Sequence, residues 1–278
     1  NIGLILHLAV YARINEFGII ETPYAKVKNG KITPLIEYLN ALEEEQFNID
    51  HAATPYDDDG KILIDTVEVR HLGKPTLTAK NNVHYIDVAT NQAFSIATNM
   101  IPFLEHDDAN RSLMGSNMQK QATPVVEPEA PFVATGMEGQ AVRDTGRLIL
   151  AKHNGTVTGV DGKIIKMKDD KGVTHERKLV NFAKPNNSTC FHQRPIVNVG
   201  DKVKKGDVLA DALFSENGEM ALGQNMLVAF LSWSGSNYED AIILSERLIK
   251  ENKFTTINID EFVISVRDTK LGPEVTTC

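Results

Sequence analysis

The segment GDKVKKGDVLAD, residues 200–211, decides the fold of this chain. Glycine stands at both expected turns, and valine and leucine point inward between charged residues, as in half-buried strands. From Ala151 onward, glycine turns divide the sequence into short strands: Asn154-Gly155, Asp161-Gly162, Lys171-Gly172, Val199-Gly200 and Lys205-Gly206. Such spacing predicts an antiparallel barrel or sandwich from Ala151 onward.

A second region, from Tyr24 to about Thr98, predicts a small mixed module. Asn29-Gly30 supplies the positive φ angles of a two-residue hairpin, and residues 58–61 (DDGK) predict a similar turn. Residues 38–46 have the pattern of one short helix, whereas residues 62–69 and 84–88 alternate like strands. The expected fold class is therefore mainly β, with an α+β insertion and an incomplete β-barrel or sandwich.

The segment FLEHDDANRSLMGSNMQKQATP, residues 103–124, predicts one short helix. Asp107 or Asp108 can cap it by accepting backbone N–H groups, and Pro124 closes it. At helical spacing one stripe of side chains is flanked by Arg111 and Met118: Asn110, Met114, Asn117 and Gln121. This face either contacts a polar, extended ligand or is an ordinary solvated surface.

Two acidic clusters have simple structural interpretations. Residues 57–60 (DDDG) form a solvated turn rather than a calcium loop, because Pro55 stands where that loop requires an acid. The neighbouring Glu239 and Asp240 are typical of a helix start, followed by an apolar helix or strand over residues 241–249.

Composition favours an ordinary globular chain. Its 278 residues are 42% hydrophobic and 24% charged, enough for two or three domains. No apolar run is long enough to span a bilayer, and no basic leader precedes the first residues, so we expect neither membrane insertion nor secretion. Cys190 and Cys278 lack metal-ligand spacing, so we expect neither a disulfide framework nor a zinc site. We expect the chain to reside in a reducing cytoplasm. Without an initiating Met, the chain is expected to begin inside a larger protein.

Charge is unevenly distributed. The formal net charge is -8, which argues against the chain as a whole binding nucleic acid. Residues 141–206, however, carry 14 Lys and Arg against 6 Asp and Glu. The excess indicates either a basic face or lysines on solvated strands and turns, and the sequence leaves both interpretations open.

The motif at residues 200–211 also occurs in biotin- and lipoate-carrying domains. A carrier needs a modifiable lysine on the hairpin that follows the motif, and residues 211–226 contain none. Lys166 and Lys168 precede the motif and lie on its wrong side. A carrier domain and a non-catalytic scaffold or interaction module therefore stay as alternatives.

Five blocks follow one another along the chain: NIGLI with ETPY (residues 1–5 and 21–24), the helical segment at 103–124, GDVLAD with ALGQN (206–211 and 221–225), GSNYEDAIILSERL (235–248) and RDTKLGP (267–273). Together they resemble the β subunit of bacterial-type, multisubunit DNA-directed RNA polymerase. The resemblance runs across essentially the whole chain. It implies a fragment that contributes to nucleotidyl transfer in DNA-templated RNA synthesis.

The resemblance also implies roles for residues of the helix. Arg111 matches the arginine that contacts the incoming nucleotide in this family. Asn117 and Gln121 match positions that line the path of RNA near the active centre. Met114 and Met118 are expected to pack rather than to contact a ligand.

Other positions match further family sites. Glu239 and Asp240 match the acidic pair near the second catalytic magnesium ion, which they are expected to approach through water. Asn1 and Ile5 match the edge of the rifamycin-binding region, most of which would precede residue 1, so drug binding is not expected. Ser232 and Ser236 depart from the family pattern and put the detail around the acidic pair in doubt.

The implied partners are those of the assembled enzyme: β′, the α dimer, ω, sigma, template DNA, nascent RNA and nucleoside triphosphates, with no membrane. Mg²⁺ would be held chiefly by β′, whose triple-aspartate motif is absent from this sequence. We therefore expect the isolated chain to be inactive. The expected location is the cytoplasm of a bacterium, with a plastid as the alternative.

The resemblance divides the chain into four parts: the end of a fork-type domain (1–23), an external α+β module (24–98), an active-centre helix with its connecting segment (99–150) and an incomplete hybrid-binding barrel (151–278). Because barrel sequence would continue beyond Cys278, a truncated product is expected.

Overall fold

In a computed structural model, which describes residues 7–185 and 188–275, the chain folds as two units, Asn1–Lys120 and Gln121–Cys278. Strands outnumber helices in both, and the helices are mostly short. No helix in the described ranges is long and apolar enough to cross a membrane. The expectation of a mainly β chain is confirmed.

From residue 7 onward, the first unit contains seven strands, two complete helices and nearly all of a third. They are β1 (Arg13–Ile14), β2 (Ile20–Lys28), β3 (Lys31–Leu39), α1 (Ala41–Glu44), β4 (Ile49–Asp50), β5 (Thr66–His71), β6 (Lys74–Ala79), β7 (Tyr85–Asp87), α2 (Ile96–Asn99) and α3 (Ala109–Gln121). Single 3₁₀ turns lie at Lys80–Asn82 and Leu104–His106.

All seven strands form one sheet in the order β1-β2-β7-β4-β5-β6, with β3 on the other side of β2. Neighbouring strands are antiparallel except β4 and β7, which run parallel. Strand β5 alternates between buried and exposed residues, whereas β4 and β7 bury consecutive residues because both of their sides are covered. The buried apolar residues of the sheet and its connections form two clusters: Val27, Ile62, Val67, Val69, Val83 and Ile86, and Tyr24, Leu39, Ile49 and Tyr85.

The predicted hairpin at Asn29-Gly30 is confirmed. Lys28 pairs with Lys31, and the two turn residues have φ angles of 51° and 72°. The helix predicted over residues 38–46 is wrong for its first part. Tyr38 belongs to β3 because it pairs with Pro23 across the sheet, and the helix is only the single turn α1.

The described part of the second unit, residues 121–185 and 188–275, contains eleven strands and two short helices. They are α4 (Met137–Asp144), β8 (Ile149–Leu150), β9 (Gly155–Val160), β10 (Ile164–Asp169), β11 (Thr174–Lys178), β12 (Gln193–Pro195), β13 (Lys202–Val203), β14 (Val208–Ala212), β15 (Ser215–Glu216), β16 (Glu219–Met220), α5 (Arg247–Lys250), β17 (Asp268–Thr269) and β18 (Gly272–Pro273).

These strands form four antiparallel sheets: β11-β10-β9-β13, β12-β14-β8, and the hairpins β15–β16 and β17–β18. The first two contribute the apolar core: Ala151, Val157, Ile165, Met167, Leu179, Val203, Leu209 and Ala210. None of these sheets closes into a barrel within the described residues, which agrees with the expectation of a β-rich region without a complete barrel. To close into a barrel, a sheet needs many strands with a consistent tilt. These sheets have only two to four short strands each.

Three predicted glycine turns have left-handed glycines, at Gly172, Gly200 and Gly206, with φ angles of 84°, 100° and 97°. The turn predicted at Asn154-Gly155 is wrong. Gly155 is the buried first residue of β9, and a Cβ atom there would lie 2.2 Å from the carbonyl oxygen of Lys168. This glycine permits close approach of two strands.

The apolar element expected over residues 241–249 is also largely absent. Only α5 is helical, and residues 241–245 have no regular structure. Ile242 and Leu244 are 82% and 71% exposed. Apolar residues alone do not form a strand when no neighbouring strand among the described residues pairs with them.

Candidate functional site

Helix α3 begins where the sequence predicts. Oδ2 of Asp108 accepts the backbone N–H of Asn110 at 3.1 Å, and the Asp108 carbonyl accepts the N–H of Ser112 at 3.0 Å. Of the two candidate caps, Asp108 is therefore the one that acts. Pro124 follows the last helical residue by three positions, so the predicted boundaries are confirmed.

The outer face of α3 is polar and accessible. Arg111 is exposed, and its Nη1 lies 3.6 Å from Sδ of Met114. No described carboxylate lies within ion-pair distance of this guanidinium. The prediction that the methionines pack is wrong, because Met114 is 46% and Met118 62% exposed. Ser116 is the buried residue of this helix, so its opposite face stays open.

The two amides predicted on this helix differ in environment. Oδ1 of Asn117 accepts a hydrogen bond from Nζ of Lys120 at 3.0 Å, and Asn117 is half-buried. Gln121, one turn further on, is exposed. The sequence interpretation did not include Lys120 among the candidate residues. Its spacing of three residues from Asn117 could have indicated it, because that spacing places both on one side of a helix.

The acidic pair lies on an exposed turn of the second unit. Asn237 holds this turn: its Oδ1 accepts the N–H of Trp233 at 2.8 Å, and its Nδ2 donates to the carbonyl of Leu231 at 2.6 Å. Glu239 has a left-handed backbone with φ of 57°, which costs a non-glycine residue about 1 kcal/mol. Both Glu239 and Asp240 are exposed.

The acidic pair has the ligand chemistry of magnesium but not a complete site. Carboxylate oxygens are the ligands that Mg²⁺ prefers, and the ion keeps several waters. Within the described residues, however, no three His, Cys, Asp or Glu side chains come together in an arrangement that could hold a metal ion. Glu239 and Asp240 alone therefore do not make a complete metal site in the described part of the chain.

Asp211, in the motif that decides the fold, has a structural role. Its buried carboxylate accepts the N–H groups of Asn217 at 2.6 Å and Gly218 at 2.9 Å, and the hydroxyl of Ser215 at 3.1 Å. These bonds tie the turn of the β15–β16 hairpin to β14. The hairpin presents no lysine, so nothing here favours a carrier domain.

Four residues of interest remain. Asn1, Ile5 and Cys278 lie outside the described residues. Cys190 is buried and free, and burial raises the pKa of its thiol.

Comparison with known families matches two segments of the chain. Residues 150–278 match the family described as RNA polymerase Rpb2, domain 6. Residues 24–89 match the RNA polymerase beta subunit external 1 domain.

Curated relatives match the whole chain. It is 53% identical over 278 residues to the DNA-directed RNA polymerase subunit beta of Corynebacterium diphtheriae. It is 50% identical to the subunits of the same name from Rubrobacter xylanophilus, over 279 residues, and Treponema denticola, over 282 residues. Each match covers 100% of this chain and 24% of the relative. The resemblance inferred from the five sequence blocks is confirmed: the chain belongs to the family of bacterial DNA-directed RNA polymerase β subunits.

Proposed function

We propose that this chain is the part of a β subunit that presents nucleotide- and RNA-contacting side chains during DNA-templated RNA synthesis. The observation that carries the proposal is the relationship to β subunits along the entire chain. The exposed polar face of α3 and the outward-facing acidic pair add support, because both present side chains free to contact a ligand.

Arg111 contacts the incoming nucleoside triphosphate in this proposal. Its guanidinium is exposed and has only a thioether as a described polar neighbour, so binding breaks no ion pair. A planar guanidinium can donate two parallel hydrogen bonds to phosphate oxygens. It would offset the negative charge that develops on the leaving pyrophosphate.

Asn117 and Gln121 contact the RNA. Amide side chains can donate to phosphate and accept from ribose hydroxyl groups without reading the base sequence. The positive charge of Lys120, which already bonds to Asn117, favours a phosphate near the same place.

Glu239 and Asp240 would help to hold the second magnesium ion through intervening water. Bound Mg²⁺ would supply charge stabilisation to the attacking and leaving oxygens. The turn held by Asn237 keeps both carboxylates in solvent, where they can reach hydrated ligands.

The complete enzyme supplies the remaining parts. The proposed partners are β′, the α dimer, ω and sigma, together with DNA, RNA and nucleoside triphosphates in the bacterial cytoplasm. The proposed division into parts at 1–23, 24–98, 99–150 and 151–278, the last one binding the hybrid, is supported by the family matches near the second and fourth parts. The isolated chain is expected to incorporate no nucleotide.

The test replaces Arg111 by alanine in full-length β and measures nucleotide incorporation by the reconstituted polymerase. Loss of one charged transition-state contact costs about 3 kcal/mol, so kcat/KM for nucleotides should fall about 100-fold. Arg143→Ala is the matched control, because Arg143 is an exposed arginine on the separate helix α4.

Assembly of each variant is checked by gel filtration. An assembled Arg111→Ala enzyme with unchanged kinetics would show that this helix face is only a solvated surface. An equal loss in the Arg143→Ala control would show that surface arginines act through general charge.

A further inference from the structure

Helix α3 carries two of the three exposed methionines of the chain. Met114 is 46% and Met118 62% exposed, and the third, Met226, lies outside this helix. The other methionines are partly or fully buried. A thioether in contact with water is open to oxidants, whereas burial protects it. The outer face of α3 therefore presents two oxidisable sulfur atoms on the same helix as Arg111.

Met114 lies directly against Arg111. Its Sδ is 3.6 Å from Nη1 of Arg111, and the spacing of three residues places both on one side of the helix. Because Cα–Cβ bonds tilt toward the N-terminus of a helix, the Met114 side chain leans toward Arg111. A thioether sulfur is a weak hydrogen-bond acceptor, and no described carboxylate forms an ion pair with this guanidinium. Only a weak contact therefore restrains the guanidinium.

Met118 lacks this contact. It follows Arg111 by seven residues, which is about 10 Å along the helix axis. No side chain in the described part of the chain donates a hydrogen bond to its sulfur. Its sulfur is nevertheless as accessible to an oxidant, because its side chain is the more exposed of the two. Met118 is therefore a natural control, with the same chemistry on the same helix but no arginine beside it.

Oxidation by a peroxide would turn the weak contact of Met114 into a strong one. The sulfur attacks one peroxide oxygen, the O–O bond breaks, that oxygen stays on sulfur as a sulfoxide, and the other leaves as water with both protons. Sulfur loses two electrons and hydrogen peroxide gains them. The sulfoxide is polar, and its oxygen is attached to an atom already 3.6 Å from Nη1, so it comes within hydrogen-bond range. A hydrogen bond from a charged guanidinium is stronger than one between neutral groups.

We propose, on the basis of the function proposed above for Arg111, that Met114 is a site of reversible oxidation whose sulfoxide captures the Arg111 guanidinium and so weakens nucleotide binding. A guanidinium that donates to the sulfoxide offers fewer N–H groups to the phosphate oxygens of a nucleoside triphosphate. Methionine sulfoxide reductases return the sulfur to a thioether, so the modification acts as a switch.

The test treats reconstituted polymerase that contains full-length β with hydrogen peroxide and then measures kcat/KM for nucleotides. Peptide mass spectrometry gives the fraction of Met114 and Met118 present as sulfoxide, and gel filtration checks assembly. Competition from one hydrogen bond to a charged group in a solvated site should lower kcat/KM about 5-fold. Subsequent treatment with methionine sulfoxide reductases should restore the untreated value, which a loss caused by damage to the fold would not do.

Two leucine variants separate Met114 from the other oxidisable residues of the polymerase. Met114→Leu has no thioether at this position, so peroxide should leave its kcat/KM at its own untreated value. Met118→Leu is the matched control and should lose kcat/KM as the parent does. Equal losses in both variants would overturn the proposal. Unchanged kinetics in an enzyme whose Met114 is sulfoxide, or oxidation of Met118 without oxidation of Met114, would overturn it too.

Arg111→Ala distinguishes failure of the Met114 switch from failure of the proposed function. If the untreated Arg111→Ala enzyme keeps the parent kcat/KM, Arg111 does not contact the nucleotide and both proposals fall. If it loses kcat/KM but oxidation of Met114 leaves the parent enzyme unaffected, the nucleotide contact stands and the switch is refuted. The switch is supported if peroxide lowers kcat/KM of the parent and has no further effect on Arg111→Ala, because the two residues then act through one interaction.

Discussion

Replacing Ile165 by alanine should destabilise the second unit far more than the same change at the preceding residue. Ile165 lies in β10 and is fully buried, in one apolar cluster with Val157 and Met167. Ile164 is half-buried, lies on the opposite side of the sheet and pairs with the exposed Lys178. The two isoleucines are adjacent in one strand and differ in the side of the sheet they occupy.

The expected magnitude follows from burial. The substitution removes three carbon atoms, and each buried methylene contributes about 0.8 kcal/mol. The cavity left in a tightly packed core adds to this loss, so Ile165→Ala should cost about 3–4 kcal/mol. Ile164→Ala should cost about 1 kcal/mol, because its side chain is already partly in water.

Hydrogen exchange of the β9, β10 and β11 amides is the suitable assay. Trp233, the single tryptophan, is 60% exposed and lies outside this sheet, so its fluorescence would report poorly on the core. Thermal unfolding by circular dichroism gives a second measure, with about 2–4 °C lost per kcal/mol for a unit of this size. Equal losses for the two variants, or less than about 1 kcal/mol for Ile165→Ala, would refute the packing described for this sheet.

Two further changes test local features. Burial raises the pKa of Asp50, so the folded state binds its proton more tightly than the unfolded state, and the contribution of Asp50 to stability declines as pH rises above its ordinary value of 3.8. In urea unfolding, the stability of Asp50→Asn relative to the parent should therefore increase as the pH rises above 3.8; a pH-independent difference would contradict this. Gly155→Ala should cost about 1–3 kcal/mol by overpacking against Lys168, whereas Gly162→Ala, which meets no atom within 4 Å, should be nearly neutral in thermal unfolding. Similar losses for both glycines would exclude the close strand approach as the cause.

Features that depend on neighbouring residues were predictable from the sequence. The Asn29-Gly30 hairpin and the Asp108 cap of α3 follow from signals within a few positions. Features that depend on distant partners were not. Tyr38 looks helical by spacing, but Pro23 pairs with it in the sheet. Gly155 looks like a turn residue, but it lies in a strand. Glycine is needed there because the carbonyl of Lys168 leaves no room for a Cβ atom.

The same distinction holds for the candidate site. The sequence places Arg111 on an exposed helix face, and the exposure of that side chain agrees. It gives no sign of the left-handed backbone of Glu239, which depends on the turn that Asn237 holds. The helical spacing of residues could not show that the Met114 side chain is exposed beside Arg111. Its exposure depends on which residues pack against the other side of the helix.

The parallel pairing of β4 with β7 has a consequence for the order of folding. Ile49 pairs with Tyr85, so this contact closes a long loop, and the β5–β6 hairpin lies within that loop. Hairpins form in microseconds, whereas pairing of distant strands must first overcome the entropy of loop closure. An early hairpin shortens the flexible part of the loop. During synthesis on the ribosome, the sheet can therefore gain its β2–β3 and β5–β6 pairs early, but its centre waits until β7 has emerged.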